Sequence, residues 1–207
     1  MPRRPALALA CLLAAAAPAR AGAAPDRESW PVYGADAGGT RWSPHAQIDR
    51  SNVSRLAVAW SIRTGDLDVV PPPPGHMAFQ ATPILVEGLL VLPTPLGRVL
   101  ALDPETGAER WRFDAETKTR EVPEFTSRGV AFWHDPQAPA GAPCAARVFA
   151  ATVESRLFAI DAASGRPCPD FGRDGEVSLR EGVGDILAGE YTISSPPAVA
   201  GDRVIVG

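Results

Sequence analysis

Residue types that could do chemistry are sparse in this sequence, and their spacing excludes more than it suggests. His45, His76 and His134 are scattered without a ligand spacing and predict no metal site. No Cys-x-x-Cys-His run is present, so no haem attachment is read here. Glu109, Glu121, Glu124 and Glu154 read as ordinary exposed acids. Cys144 and Cys168 stand apart. They are the pair left once a leader carrying Cys11 is removed, and an even pair in an oxidising compartment predicts a disulfide. The two flank what should be a central strand, whose outer neighbours lie about 9–10 Å apart, whereas a bridge wants Cα atoms about 5.5 Å apart. Either the strand ends curl together or the thiols stay free.

The leader is residues 1–21. Arg3 and Arg4 form a basic start, Ala6 to Ala17 is a short apolar run, and Ala19-Arg20-Ala21 is a small-x-small cleavage site, with Ala23 as a second choice. The run is too short to cross a membrane, and no other stretch comes closer. Cys11 after Ala8-Leu9-Ala10 makes only a poor lipoprotein signal. Removing residues 1–21 takes away three arginines and no acids, moving the formal net charge from -4 to -7. An acidic exported chain is a poor partner for nucleic acid or an anionic membrane surface.

The elements that must position any site are strands. Ala101 to Trp111, ALDPETGAERW, returns 58 residues later as AIDAASGRPCP. In each copy an apolar run meets Asp-x-x-Thr/Ser-Gly, where Asp bonds its own backbone and Gly supplies a positive φ, so a strand turns tightly into another. Before the first copy, residues 22–54 read as a loop pinned by Trp30, Tyr33 and Trp42. Arg55 to Arg63 reads as a strand and Thr64-Gly65 as its turn, and Asp66 to Met77, with Pro71 to Pro74, as an extended linker without helix. Strands are then expected at Ala81–Val86, Leu89–Leu92, Val99–Leu102 and Glu109–Phe113. A second set follows at Gly129–Trp133, Val148–Thr152, Leu157–Ile160 and Cys168–Phe171, with a Pro/Ala-rich insertion from Asp135 to Pro143. A third set starts at Pro197–Ala200 and Val204–Gly207. Four-stranded units ending in one turn motif predict an all-β fold, a partial β-propeller over residues 55–207 with about two and a half blades. A sandwich also uses short strands, but the repeat favours the propeller. The final apolar run, without a strand to pair with, is what a truncated product would show.

The Ala101-x-Asp103-x-x-Thr106-Gly107-x-x-x-Trp111 pattern resembles the tryptophan-docking motif of the quinoprotein dehydrogenases, whose eight-bladed propellers hold pyrroloquinoline quinone (PQQ). YGADAGGTRWSP (33–44), FQATPILVEG (79–88), SRGVAFW (127–133) and SSPPAVAGDRVIVG (194–207) are similar, in order and spacing, to the start of the quinoprotein glucose and polyol dehydrogenases. The resemblance implies the N-terminal third or so of such an enzyme, with Arg55–Arg63 as the outermost strand of the last blade.

The resemblance also implies the chemistry. PQQ is a planar orthoquinone with three carboxylates, which calls for fixed cations, donors and a Ca²⁺ that polarises the quinone oxygen. Arg128 matches the family arginine on a PQQ carboxylate, Gln80 a polar residue bonding a carboxylate from the first blade, and Ser194 a hydroxyl donor, with Ser195 one register step away. The vicinal cysteines of the alcohol dehydrogenase branch have no counterpart, because Val122-Pro123-Glu124 stands there. The histidine of the glucose dehydrogenase branch is replaced by Glu124 or Phe125. The catalytic aspartate and the Ca²⁺ ligands of the family map past Gly207. The implied reaction removes the hydroxyl proton of a sugar or polyol, moves a hydride to PQQ and delivers electrons to a quinone or cytochrome. The competing reading is a non-catalytic propeller resembling outer-membrane assembly lipoproteins. It needs the blades and a lipid-modified cysteine but none of the cofactor residues.

Overall fold

β-Rich runs cut by glycine turns fold into two four-stranded antiparallel sheets in the computed structural model, which describes residues 29–69, 77–119, 124–187 and 189–207. The leader with Cys11, the prolines 71–74, His76, Glu121, Val122 and Pro123 lie outside the described residues. A short strand, β1 (Met77–Phe79), precedes the first sheet, which runs β2 (Ile84–Val86), β3 (Leu89–Pro93), β4 (Val99–Leu102) and β5 (Glu109–Phe113). Another short strand, β6 (Phe125–Ser127), precedes the second, β7 (Ala131–His134), β8 (Ala146–Ala151), β9 (Arg156–Asp161) and β10 (Glu176–Ser178). The hairpin of β11 (Ala198–Ala200) and β12 (Arg203–Ile205) opens a third. Each sheet is a meander, each strand pairing with the next in sequence, as blades require. β1 and β6 pair in parallel, Met77 opposite Phe125, and so join the lead-ins of successive blades. Among the described residues no helix is long and apolar enough to cross a membrane.

The core lies between blades. Ile84, Val91, Val99 and Ala101 of the first sheet pack against Val130, Val148, Phe158 and Ile160 of the second, with Phe113 and Phe158 rings 5.0 Å apart. A second cluster, including Phe149, Leu157 and Ile193, receives Val199 and Val204 of the third hairpin. The 58-residue repeat is visible atom by atom. Trp111 donates its indole N–H to Ala162 O at 3.0 Å and covers Gly165, where a Cβ would lie 2.7 Å from the ring. Trp60 does the same one blade earlier, donating to Pro104 O at 3.1 Å and covering Gly107. In both turns a positive φ and the overlying indole leave room for glycine alone.

Three expectations are corrected. The fourth strand of the second blade is Glu176–Ser178 and not Cys168–Phe171. Pro167 and Pro169 have no N–H to give a ladder, so pairing stops at the Ile160–Pro167 bridge and resumes after a turn through Gly172 and Gly175. Arg55–Arg63, for which the resemblance places the strand partners past Gly207, is joined to the first sheet through Trp60 and not through a ladder. Val53–Arg55 is a 3₁₀ turn, and the extended residues after it have no ladder partner among the described residues, leaving Val58 85% exposed. Asp66–Val69 is one turn of helix, α1, where a linker without helix was expected. Asp66 and Asp68 suit its N-terminal end, and Asp66 is buried, accepting from Leu96 N–H at 3.0 Å and pairing with Arg98. Glu154 is buried too, holding Lys118 N–H and Arg156. Of the aromatics in the N-terminal loop, Trp30 bridges to Leu85, while Trp42 remains exposed.

Asp103 organises the first docking turn. Its Oδ1 accepts from the Thr106 amide and hydroxyl, each at 2.9 Å, and its Oδ2 from Arg110 at 2.6 Å. The Arg110 guanidinium, followed by the Thr106 donors, holds the carboxyl down at about 2. The folded value lies below the unfolded one, so the stabilisation is complete above about pH 4 and is lost as pH falls toward the folded value. Thermal unfolding of the parent is expected to drop over that acid window, and Asp103→Asn to start lower and to change less across it.

Candidate functional site

The register fixes which end of the blades can carry a site. Ile84 pairs with Val91 and Pro93 with Val99, so β2 and β4 start at the end where β3 and β5 finish. Residues 80–82, 127–129 and 194–197 all reach that end, each leading into the inner strand of its own sheet. Backbone hydrogen bonds link them from blade to blade: Thr82 N–H donates to Arg128 O at 3.0 Å, and Arg128 N–H to Ser194 O at 2.9 Å. The approach is close at Gly129, where a Cβ would lie 3.0 Å from Pro196 Cγ.

Arg128 and Ser194 are brought into direct contact, the guanidinium Nη1 donating to the Ser194 hydroxyl. Ser195 is exposed, and it is Ser194 that meets the arginine. Gln80 is exposed at the end of β1 and is joined to the pair through the backbone at Thr82. Among the described residues Arg128 pairs with no carboxylate, as is true also of the exposed Arg41, Arg166, Arg173 and Arg180; what sets Arg128 apart is the Ser194 hydroxyl and the meeting of three lead-ins. An exposed, planar donor fork steadied by a hydroxyl and lacking an acid of its own is suited to a carboxylate brought from outside. Of the two residues standing where the glucose branch has histidine, Phe125 is core, buried with Leu96 and Val153. Glu124 is exposed.

The same end holds a network that sequence reading passed over. Arg98 binds Asp66 at 3.1 Å and Asp114 at 2.9 Å, and Arg156, 58 residues on, binds Glu154 at 2.7 Å and the Ala115 carbonyl. The signal was present, since Thr94/Thr152, Gly97/Ser155 and Arg98/Arg156 keep the spacing of the docking turns. At the opposite end, Cys144 and Cys168 form a disulfide with Cα atoms 5.8 Å apart. The expected separation of about 9–10 Å does not apply, because Cys168 sits in a turn and Cys144 takes a φ of 59°. With Asp170 their ligand atoms form the one metal-sized group among the described residues, but a bridged pair offers no thiolate to an ion. His45 and His134 are both exposed and join no such group.

Residues 30–207 match the family described as PQQ: glucose/ethanol/alcohol dehydrogenase, beta-propeller domain. The quinoprotein glucose dehydrogenase of Escherichia coli (strain K12) is 37% identical over 201 residues, covering 94% of this chain and 25% of that protein. Quinoprotein glucose dehydrogenase A of Acinetobacter calcoaceticus is 35% identical, covering 86% of the chain and 24% of the relative. The glycerol dehydrogenase large subunit of Gluconobacter thailandicus is 35% identical, with 88% and 25% covered. The quinohemoprotein alcohol dehydrogenase of Comamonas testosteroni superimposes with a TM-score of 0.67 at 27% identity, over 87% of this chain and 23% of that one. The chain thus spans about a quarter of the length of these relatives, less than the third expected. The matches favour the dehydrogenase reading over the scaffold one. The chain belongs to the PQQ glucose/ethanol/alcohol dehydrogenase family, and its sheets are part of that family's β-propeller.

Proposed function

We propose that this chain is part of an exported, PQQ- and Ca²⁺-dependent dehydrogenase that oxidises a sugar or polyol and passes the electrons to a quinone or cytochrome. The observation that carries the reading is the Arg128 guanidinium, exposed, held by the Ser194 hydroxyl and without a carboxylate partner among the described residues. That donor set suits a planar tricarboxylate. When bound, PQQ supplies the carbonyl that takes up the hydride.

The chain's own part is to bind and orient. Arg128 would hold one carboxylate through its guanidinium, and the Ser194 hydroxyl, accepting from Arg128, would keep its own proton to donate. Gln80 offers an amide N–H from the preceding blade. No catalytic base and no Ca²⁺ ligand is assigned to the described residues. Residues 1–21 are proposed as the export signal that delivers the protein to the periplasm, and the Cys144–Cys168 bridge suits that compartment. The substrate class follows the glucose and glycerol dehydrogenases among the relatives.

The test is to produce the complete protein encoded with this chain as apoenzyme and titrate it with PQQ and Ca²⁺. Dye-linked oxidation of an aldose or polyol should appear only with both added. No PQQ-dependent oxidation of any alcohol or aldose would overturn the proposal.

A further inference from the structure

The two docking turns are braced by different chemistry at one and the same position. Seven residues after Asp103 comes Arg110, whose guanidinium occupies the Asp103 Oδ2. Seven residues after Asp161, in the same place of the repeat, comes Cys168. Asp161 otherwise copies Asp103, its Oδ1 accepting from the Ser164 amide at 2.8 Å and hydroxyl at 2.7 Å. Its Oδ2, deprived of an arginine, accepts instead from the Cys144 amide at 2.6 Å. Cys144 stands at the end of the insertion and is held there by its bond to Cys168.

We infer that the Cys144–Cys168 disulfide replaces the Asp103–Arg110 ion pair as the brace of the second docking turn, so that the seat of Trp111 between the first and second blades depends on redox state while the seat of Trp60 does not. Asp161 is 7% exposed, so its Oδ2 has little access to water and depends on the Cys144 N–H. Burial alone would raise this carboxyl, yet the Ser164 hydroxyl and the amides of Cys144 and Ser164 hold it below the ordinary value. The turn it shapes presents Ala162 O and Gly165 to Trp111. The returning chain is tied into the same unit, with Ala162 N–H on Ala146 O at 2.9 Å and Asp135 N–H on Ala145 O at 2.7 Å.

Release requires a dithiol reductant. Its thiolate attacks the partly exposed Cys144 sulfur, the S–S bond breaks with Cys168 as leaving group, and the reductant's second thiolate resolves the mixed disulfide. Two electrons and two protons pass to the protein, leaving thiols at Cys144 and Cys168, and the reductant closes into its own disulfide. Cys144 is then held by Arg147 Nε on its carbonyl at 2.8 Å and by the neighbouring backbone bonds alone, and its N–H is no longer fixed on Asp161.

The experiment is hydrogen exchange on the complete protein, with and without dithiothreitol, comparing peptides spanning 101–111 and 159–169. Reduction should speed exchange in 159–169 about tenfold, the net contribution of about one hydrogen bond, and leave 101–111 unchanged. The double variant Cys144→Ala/Cys168→Arg, which copies the first blade's ion pair, should exchange like the oxidised parent in 159–169 and ignore dithiothreitol. Unchanged exchange in 159–169 on reduction overturns the inference, as does an equal rise in 101–111. Failure of the double variant to recover protection overturns the equivalence of the two braces. None of these outcomes depends on PQQ binding.

Discussion

Arg128→Ala is expected to weaken PQQ binding by the complete apoenzyme by about 10- to 150-fold, the equivalent of the roughly 1.5–3 kcal/mol that a hydrogen bond to a charged group contributes. The Arg128 main chain is held from both sides, its N–H on Ser194 O and its C=O accepting from Thr82 N–H, so removing the side chain leaves the strand starts in place. The loss should therefore appear as a higher PQQ concentration for half-reconstitution, with the unfolding temperature of the apoenzyme little changed. Arg128→Lys keeps the charge without the fork and should fall between the two. Ser194→Ala should weaken binding several-fold and Ser195→Ala not at all, because only Ser194 meets the arginine. A variant lacking Arg128 that reconstitutes at the parent's PQQ concentration would remove this residue from the cofactor site.

Gly165→Ala is expected to destabilise the chain by about 2–5 kcal/mol in urea unfolding. About 1–2 kcal/mol comes from placing alanine at a φ of 72°. About 1–3 kcal/mol more comes from forcing a Cβ to within 2.7 Å of the Trp111 ring, in a seat closed below by the turn itself. Gly201→Ala is the control. It has a φ of 62° and nothing within 4 Å of the added carbon, so it should lose only the backbone part, about 1–2 kcal/mol. Equal losses at both positions would mean that the indole gives way and that the seat is not tight.

The blade pattern was legible where local rules and packing agree. Val99–Leu102 and Glu109–Phe113 were read to the residue, because apolar alternation ends on a turn whose aspartate and glycine have no other use. Arg55–Arg63 has no ladder partner among the described residues, and what joins it to the first sheet is Trp60 on the docking turn, a contact that strand composition does not announce. Prolines misled in both directions. They hid the helical turn at Asp66–Val69, whose residues precede Pro71, and they moved β10 eight residues along from the apolar run at Cys168. The candidate site was not legible from residue types at all. An arginine and a serine 66 positions apart carry no local signal, and their meeting follows from the stacking of three inner strands. The resemblance named them. It could not say that Phe125 would turn into the core and Glu124 outward, which follows from the alternation of β6 once its pairing with β1 is known.

Thr82, Arg128 and Ser194 are laced together like staves under a single hoop, main chain to main chain, with no side chain needed to carry the tie. A lengthening or slip of any one lead-in would shift its neighbour's carbonyl as well, so drift at one stave is passed around the rim. Among the described residues the opposite rim shows no such backbone lacing between blades, and there the chain has taken up the Asp135–Pro143 insertion with β7 and β8 still paired from His134 and Ala146 onward. A shift in one lead-in of the hooped rim would thus have to be matched in its neighbour, whereas the other rim has taken up the insertion by tying its end to Asp161 and Cys168.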